Sequence, residues 1–292
     1  MTQTDESAAG VACLPFAVVR ARDWSERDVA SLAGGALRLL LAGEVALVVG
    51  DAAAPARSGD ARGGLLFHEL VVERLARGGR PVAPLAPVGR LADEAALRAW
   101  LDAAGASLRD ALERLDGQCE IGVLAWWDRT RAAALDGSAP GAAADAYDRA
   151  LGASSAQQAR LRARMRRDPS ASTFLPRREL RAGEAAVADA RAAWLATAVH
   201  GRLSEVAEVG RVASPPAADV LLDAAYLVRR ERIAALDAAI AEVTALGGGA
   251  VRVRRSGPRA AWAFATLRPF TRAERTPAER RGRDRGASRE AS

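Results

Sequence analysis

The sequence contains no lysine, so all 42 of its basic residues other than histidine are arginines. Three kinds of site depend on a lysine: the phosphate-binding P-loop, the Schiff-base enzymes and the Ser-x-x-Lys nucleophile pair. The absence of lysine therefore excludes all three within this chain.

Histidine and cysteine are scarce. The histidines, His68 and His200, lie in predicted helices, with no second histidine or cysteine at metal-ligand spacing. The cysteines, Cys13 and Cys119, lie in apolar strand-like runs, which predicts buried thiols rather than a disulfide or an exposed Cys-His nucleophile pair. We therefore predict no catalytic residue, no metal ligand and no cofactor-binding residue.

Long apolar runs and a large net charge are also missing. No run reaches the length of a membrane span, and residues 1–10 are polar and acidic, unlike a signal peptide, so we expect a soluble cytoplasmic protein. The net charge is +6, and residues 271–292 contribute +3 of it through seven arginines against four acids. The nearly balanced remainder is unlike a dedicated nucleic-acid-binding protein.

What the chain does have is length and alanine. Half of its 292 residues are hydrophobic, which is enough for two modest domains built from Ala-rich helices and a few strands. The first half alternates between strand and helix patterns, which predicts an α/β sandwich with helices on one side of a small sheet. The predicted order is strand 13–20, helix 25–41 capped by Ser25 and closed by Gly43, strand 44–49, helix 65–76, extended 80–85, helix 93–115 and strand 118–127.

The second half begins with two long helical patterns, residues 147–167 and 180–206, separated by Asp168 and Pro169, which predicts an antiparallel helical pair. A strand, a helix and a hairpin follow, with Trp262 and Phe264 on one face of the last strand. These segments are residues 220–228, 231–246 and 251–267. We predict domains at 11–128 and 142–270, disordered tails at 1–10 and 271–292, and no internal repeat.

Three other patterns have an architectural and a functional interpretation. Glycine runs at 78–79 and 247–249 follow helices, which indicates caps rather than phosphate-binding loops. The arginine run of residues 160–167 could bind an anionic partner, but it has no interleaved aromatic residues, which favours a solvated helix face. Asp223 lies inside an apolar run and could pair with Arg252, whereas no catalytic partner is visible for it.

Four segments, in order, resemble the gas vesicle protein GvpL/GvpF family. Residues 80–89 resemble the family's P-V-L-P-L-R-F-G strand, residues 108–127 its Leu-rich helix leading to E-x-G-V, residues 220–229 its A-Y-L-V segment, and residues 251–265 its G-P-W-P-P-Y-S-F signature. The chain resembles a divergent member, because Ala86 and Pro87 replace the Arg-Phe pair. In the signature, Arg259 replaces the first aromatic residue, and Ala260 and Ala261 replace the two later prolines.

The resemblance, which covers about residues 13–267, implies an α+β protein. Its first domain would be a ferredoxin-like α/β domain, and its second an α+β domain with a long antiparallel, coiled-coil-like helical pair. It implies a non-enzymatic gas vesicle accessory or minor structural protein, cytoplasmic and gas vesicle associated, that assists assembly by binding the small hydrophobic shell protein and other accessory proteins. No nucleic acid, membrane insertion or cofactor is implied.

Three alternatives remain open at this point. The first is a generic cytoplasmic adaptor or scaffold that uses the same helical pair. The second is a metal-free enzyme with a pocket in which Asp223, His68 or His200 meets another polar group. The third is RNA or DNA binding by the arginine run and the tail.

Overall fold

The computed structural model describes residues 12–51, 61–87, 92–128, 142–167, 174–213, 219–247 and 249–265. These residues form a mixed α/β protein with two antiparallel sheets and six α-helices. They divide into two compact units, the first running to Asp116 and resuming at Ala260, and the second comprising Gly117–Arg259. The predicted tails, residues 1–10 and 271–292, lie outside the described residues.

The first unit contains five strands and three helices. Its sheet has the order β2-β3-β1-β4 with all neighbours antiparallel, and the short β5 also pairs with β1. The elements are β1 (Ala12–Arg20), α1 (Glu26–Leu32), β2 (Leu37–Ala42), β3 (Val45–Asp51), α2 (Ala61–Arg77), β4 (Val82–Pro84), β5 (Ala92–Asp93) and α3 (Glu94–Arg114).

Helices cover both faces of this sheet, whereas the sequence predicted helices on one side only. One face packs Phe16, Val19 and Val48 against the buried side chains of α1 and α2. On the other face lies α3, whose Glu94 accepts a 2.7 Å hydrogen bond from Arg38 of β2. The leucines of the predicted helix 93–115 recur at spacings of three and four, a pattern that predicts one apolar stripe. In α3 this stripe is buried, at Leu97, Leu101, Leu108 and Leu112.

The predicted helix 25–41 is only partly correct. Its start is confirmed, because Ser25 and Asp28 form a reciprocal capping box. The helix ends at Leu32, and Gly34 and Gly35 follow with positive φ angles of 62° and 89°, a conformation that ends helices. Residues 37–42 form β2 instead, where they pair with β3 and bury Leu37, Leu39 and Leu40.

The second unit contains four strands and three helices. Its elements are β6 (Gln118–Trp127), α4 (Ala142–Arg167), α5 (Phe174–Ser204), β7 (Val209–Val212), β8 (Val220–Arg229), α6 (Ile233–Leu246) and β9 (Val251–Arg259). The sheet order is β7-β8-β6-β9, so both units arrange their four main strands in the same order, second-third-first-fourth. The sequence shows no internal repeat, but the topology contains one.

The core of the second unit lies between its sheet and two helices. One face of β6 is buried, from Cys119 at 1% exposure to Trp127 at 4%. Against it pack Leu195, Val199 and Leu203 of α5 and Leu236 and Val243 of α6, while α4 contacts α5. Residues 118–127 thus belong with β8 and β9, to which they are hydrogen-bonded, although the predicted boundaries placed them in the first domain.

The predicted hairpin at residues 251–267 is wrong. β9 runs on through Pro258 to Arg259, and Trp262 and Phe264 lie in turns rather than in a second strand. Within the described residues β9 is an edge strand, paired only with β6. Pro258 is tolerated there because no strand on the outer side of β9 needs a hydrogen bond from its missing N–H. The Ser-Gly-Pro sequence produces a bulge in β9, not a chain reversal.

Candidate functional site

The candidate functional residues lie along the last motif, with residues 257–259 in the second unit and residues 260–264 in the first. The motif begins with a bulge, because three residue steps on β9 (Ser256 to Arg259) oppose two on β6 (Glu120 to Gly122). Gly257 adopts a φ of +99°, and a Cβ there would lie 2.6 Å from the carbonyl oxygen of Glu120. Only glycine fits this conformation and this close approach.

Arg259, the last residue of β9, neutralises a buried acid. The Glu120 side chain is 0% exposed, and its Oε1 lies 2.8 Å from Arg259 Nε and 2.5 Å from Nη2. A carboxylate out of water requires such a charged partner. The arginine that departs from the family signature therefore has a structural role in this chain.

Ala260 and Trp262, in the first unit, bind one acid of α2. The Ala260 N–H donates to both carboxylate oxygens of Glu73 at 3.1 and 3.2 Å, and Trp262 Nε1 donates to Oε1 at 3.1 Å. We call Glu73, Ala260 and Trp262 the Glu73 clasp. It holds the C-terminal segment against the core of the first unit, where Ala260 is 3% exposed.

His68 lies beneath this clasp. Its ring stacks on Phe16 with centroids 5.0 Å apart and lies 5.7 Å from the Trp262 ring. The side chain is 2% exposed and hydrogen-bonds the Pro15 carbonyl, while burial lowers its pKa to about 4. Within the described residues its Nε2 has no hydrogen-bond partner. The neutral imidazole therefore acts as a flat core side chain.

The structure does not bring the other candidate residues, His200, Asp223 and Arg252, together in one site. His200, on α5, has its Nδ1 2.8 Å from the Tyr226 hydroxyl, a contact between helix and sheet. Asp223 faces Leu124 across β8 and β6, whereas Arg252 is paired with Trp126 on the far side of β6. The predicted Asp223–Arg252 ion pair therefore does not form.

The basic clusters lie on the surface, and the thiols lie in the core. The exposed Arg254 places its guanidinium 5.5 Å from the Trp126 ring. Arg160, Arg162, Arg164, Arg166 and Arg167 are exposed on α4. Cys13 and Cys119 are buried thiols and form no disulfide. The sequence therefore located these side chains correctly, on the surface or in the core.

Two acids that matter were missed by sequence reasoning. Glu73 lies on a helix among ordinary polar positions, and its partners follow 187 and 189 residues later, so nothing local signals its role. Glu120 did offer a signal, since it is an acid inside an otherwise apolar strand. Pairing it with an arginine would have required knowing which strand lies beside β6.

The chemistry available to the described residues is limited. They contain no group of three or more His, Cys, Asp or Glu side chains placed to hold a metal ion. An open cleft of about 420 Å³ in the second unit is lined by Trp126, Trp127, Asp128, Asp219 and Arg252. Among the helices described, none has the combined length and apolarity that crossing a bilayer requires.

Comparisons with known proteins agree with the resemblance seen in the sequence. The chain is similar to the crystal structure of gas vesicle protein GvpF from Anabaena sp. PCC7120, with a TM-score of 0.66 at 15% identity over 88% of this chain and 99% of that one. GvpF from Microcystis aeruginosa gives a TM-score of 0.60 at 16% identity, over 88% and 100%. No curated protein sequence matches. Residues 13–266 match the model of the family described as "Gas vesicle synthesis protein GvpL/GvpF", and the chain therefore belongs to that family.

Proposed function

We propose that this protein assists gas vesicle assembly as a non-enzymatic accessory or minor structural protein. It binds the small hydrophobic shell protein and other accessory proteins, and it works in the cytoplasm at the growing vesicle. The observation that carries the proposal is the family match over residues 13–266. The GvpF similarity supports the same fold over 88% of the chain.

We also propose a finer description of the fold. The β2-β3-β1-β4 order, with helices between the first two and the last two strands, matches a ferredoxin-like domain. The contact of α4 with α5 supports an antiparallel, coiled-coil-like pair in a second, α+β domain. The two units are then two domains, interleaved in sequence because the chain returns to the first at Ala260.

The edge strand β7 is the surface we assign to the shell protein. A subunit that assembles through apolar segments aggregates unless it is captured, and an exposed strand edge can capture such a segment by β-pairing. On β7 the side chains of Val209 and Val212 are 48% and 53% exposed. The other apolar edge, β2, is less available, because the Leu39 N–H already donates to the Glu26 carboxylate at 3.2 Å.

Co-purification with the shell protein tests this function. We expect the tagged protein to retain the shell protein from cells that express both, and deletion of its gene to abolish vesicles. The variant V209K/V212K should lose the interaction, because lysines on an edge oppose strand pairing. The matched variant L41K, on the β2 edge where Leu41 is 56% exposed, should keep it.

Two outcomes would overturn the proposal. Absence of shell-protein binding together with normal vesicles in the deletion strain would leave a generic adaptor as the better description. Equal loss of binding in V209K/V212K and L41K would reject β7 as the docking edge, while leaving the assembly role in place.

A further inference from the structure

The described end of the α4–α5 pair carries a dense set of unneutralised arginines. Residues 160–181 contain eight arginines against two acids, a net +6 that equals the net charge of the whole chain. Seven of these arginines are described and exposed, and we call them the basic tip. They are Arg160, Arg162, Arg164, Arg166 and Arg167 on α4 and Arg178 and Arg181 on α5.

Helix geometry divides the α4 arginines into two stripes. At about 100° per residue, Arg160, Arg164 and Arg167 fall within one sector, and Arg162 and Arg166 fall on the opposite side. Leu161, which is 6% exposed, lies between the stripes on the buried side of α4. The two arginine stripes therefore flank the apolar face of α4, and the guanidinium groups are not distributed at random around the helix.

The rest of the second unit neutralises many of its arginines internally. Arg202 contacts Glu242 at 2.7 Å, Arg229 contacts Glu208 at 3.0 Å, and Arg255 contacts Asp237 at 3.0 Å. Within the described part of the chain, the basic tip contains no ion pair, and its one hydrogen bond joins Arg162 to the neutral Gln158 at 3.4 Å. The basic tip therefore differs from the rest of the second unit, in which acidic side chains neutralise many of the arginines.

A solvated helix face does not account for this arrangement. The helix dipole favours cations in the last turn of α4, but Arg160 and Arg162 lie before that turn. Arg160 and Arg164, and likewise Arg162 and Arg166, are like charges at i,i+4, which destabilise a helix in the absence of an anion. An external negative charge would remove that repulsion.

We propose that the basic tip binds an acidic peptide segment of a partner protein. A peptide fits better than nucleic acid for two reasons. The described tip side chains include no aromatic ring on which bases could stack. The sequence outside residues 160–181 has no net charge, whereas proteins that follow a phosphate backbone spread their basic residues over a longer surface.

Binding of defined anions to the purified full-length protein tests this inference independently of the vesicle function. The probes are fluorescently labelled peptides of twelve glutamates and single-stranded oligothymidylate of twelve nucleotides, measured by anisotropy across a salt series. We expect the peptide to bind more tightly than the oligonucleotide. The variant R160Q/R164Q/R167Q should weaken peptide binding roughly tenfold, since exposed ion pairs contribute small increments that add.

A charge-matched control separates the tip from general electrostatics. The variant R77Q/R114Q/R252Q removes three exposed arginines elsewhere, and its peptide affinity should stay within about twofold of the unmodified protein. Peptide binding below detection, equal weakening by both triple variants, or tighter binding of the oligonucleotide would each overturn the inference. Circular dichroism of each variant confirms that the affinities compare folded proteins.

Discussion

Two glutamates bind consecutive residues at the point where the chain leaves the second unit. Glu120 holds the Arg259 guanidinium, and Glu73 accepts the Ala260 N–H together with the Trp262 indole. Both are charge-assisted contacts, which are stronger than neutral hydrogen bonds. They hold Arg259, Ala260 and Trp262 in place, although this segment departs from the family signature.

Removing the indole donor of Trp262 tests the clasp. We expect W262F to lower the free energy of unfolding by about 1–2 kcal/mol, because it deletes a hydrogen bond to a charged acceptor. W24F is the matched control, since the buried Trp24 Nε1 has no hydrogen-bond partner within the described residues. Urea denaturation of both variants makes the comparison, and equal destabilisation would show that ring volume, not the hydrogen bond, matters.

His68 predicts a specific acid sensitivity. Its pKa falls from the ordinary 6.5 to about 4 in the folded protein, so between these values the unfolded chain binds more protons. The contribution of His68 to the free energy of unfolding is therefore fully present above about pH 6.5. It is lost as the pH falls toward 4, and the loss is at most about 3 kcal/mol. H68F, which keeps a ring against Phe16, should lose this component of the pH dependence.

Denaturation of the protein and of H68F at pH 7, 6, 5 and 4 measures the effect. The difference between the two curves isolates the histidine, because the carboxylates that titrate in this range are common to both. Parallel stability profiles from pH 7 to 4 would contradict the prediction.

Residue placement was predictable where a local pattern determined it. The spacing of the α3 leucines correctly identified buried side chains, and alternation along β6 separated the two faces of that strand. Burial next to a distant partner was not predictable, because the neighbours of Glu73 and Glu120 come from residues 187 and 139 positions later. No periodicity encodes such a contact.

At the scale of elements, most helices and strands followed from sequence, and the errors share one cause. The leucines of β2 have good helix propensity, yet Gly34 and Gly35 end α1 and the strand pairs with β3. The end of β9 looked like a turn, yet an edge strand tolerates Gly257 and Pro258 as a bulge. In both cases tertiary pairing overrode local propensity.

Substitution of Gly257 tests the bulge. G257A should destabilise the protein by about 2 kcal/mol or more, because alanine is strained at this φ and its Cβ would collide with the Glu120 carbonyl. G152A is the control within α4, where an added Cβ meets nothing within 4 Å. That variant should be stabilised by about 0.5–1 kcal/mol. Thermal unfolding of both proteins, with opposite shifts in melting temperature expected, gives the measurement.

At the scale of the whole molecule, the two units share one strand order but differ in how the chain completes them. The second unit is continuous from Gly117 to Arg259, whereas the first needs the segment that begins at Ala260. Composition and periodicity predicted many of the strands correctly, and the division into two domains stays a prediction. The return of the chain to the first unit after β9 was not predictable, because it depends on where the six residues after β9 bind.

Two truncations test the dependence of the first unit on that segment. A chain ending at Arg259 loses the buried Ala260 and every hydrogen bond of the Glu73 clasp. We expect a loss of several kcal/mol, a large share of the ~5–15 kcal/mol that stabilises a typical domain. A chain ending at Ala265 keeps all of these contacts and should match the full-length protein.

Amide hydrogen exchange of α2 in both truncations is the measurement. Protection of α2 should fall in the shorter chain and persist in the longer one. Unchanged protection in the chain that ends at Arg259 would show that the first unit is complete without its C-terminal segment.

The Glu73 clasp also sets an order of events on the ribosome. Glu73 leaves the exit tunnel 187 residues before Ala260, a delay of roughly 10–40 s at ordinary rates of synthesis. During that interval the place of Ala260 and Trp262 beside His68 stays vacant, and the last strand of the second unit, β9, emerges only at its end. The first unit is therefore synthesised first but completed only when the chain reaches Ala260, and a nascent chain or one clipped before Ala260 leaves that place open.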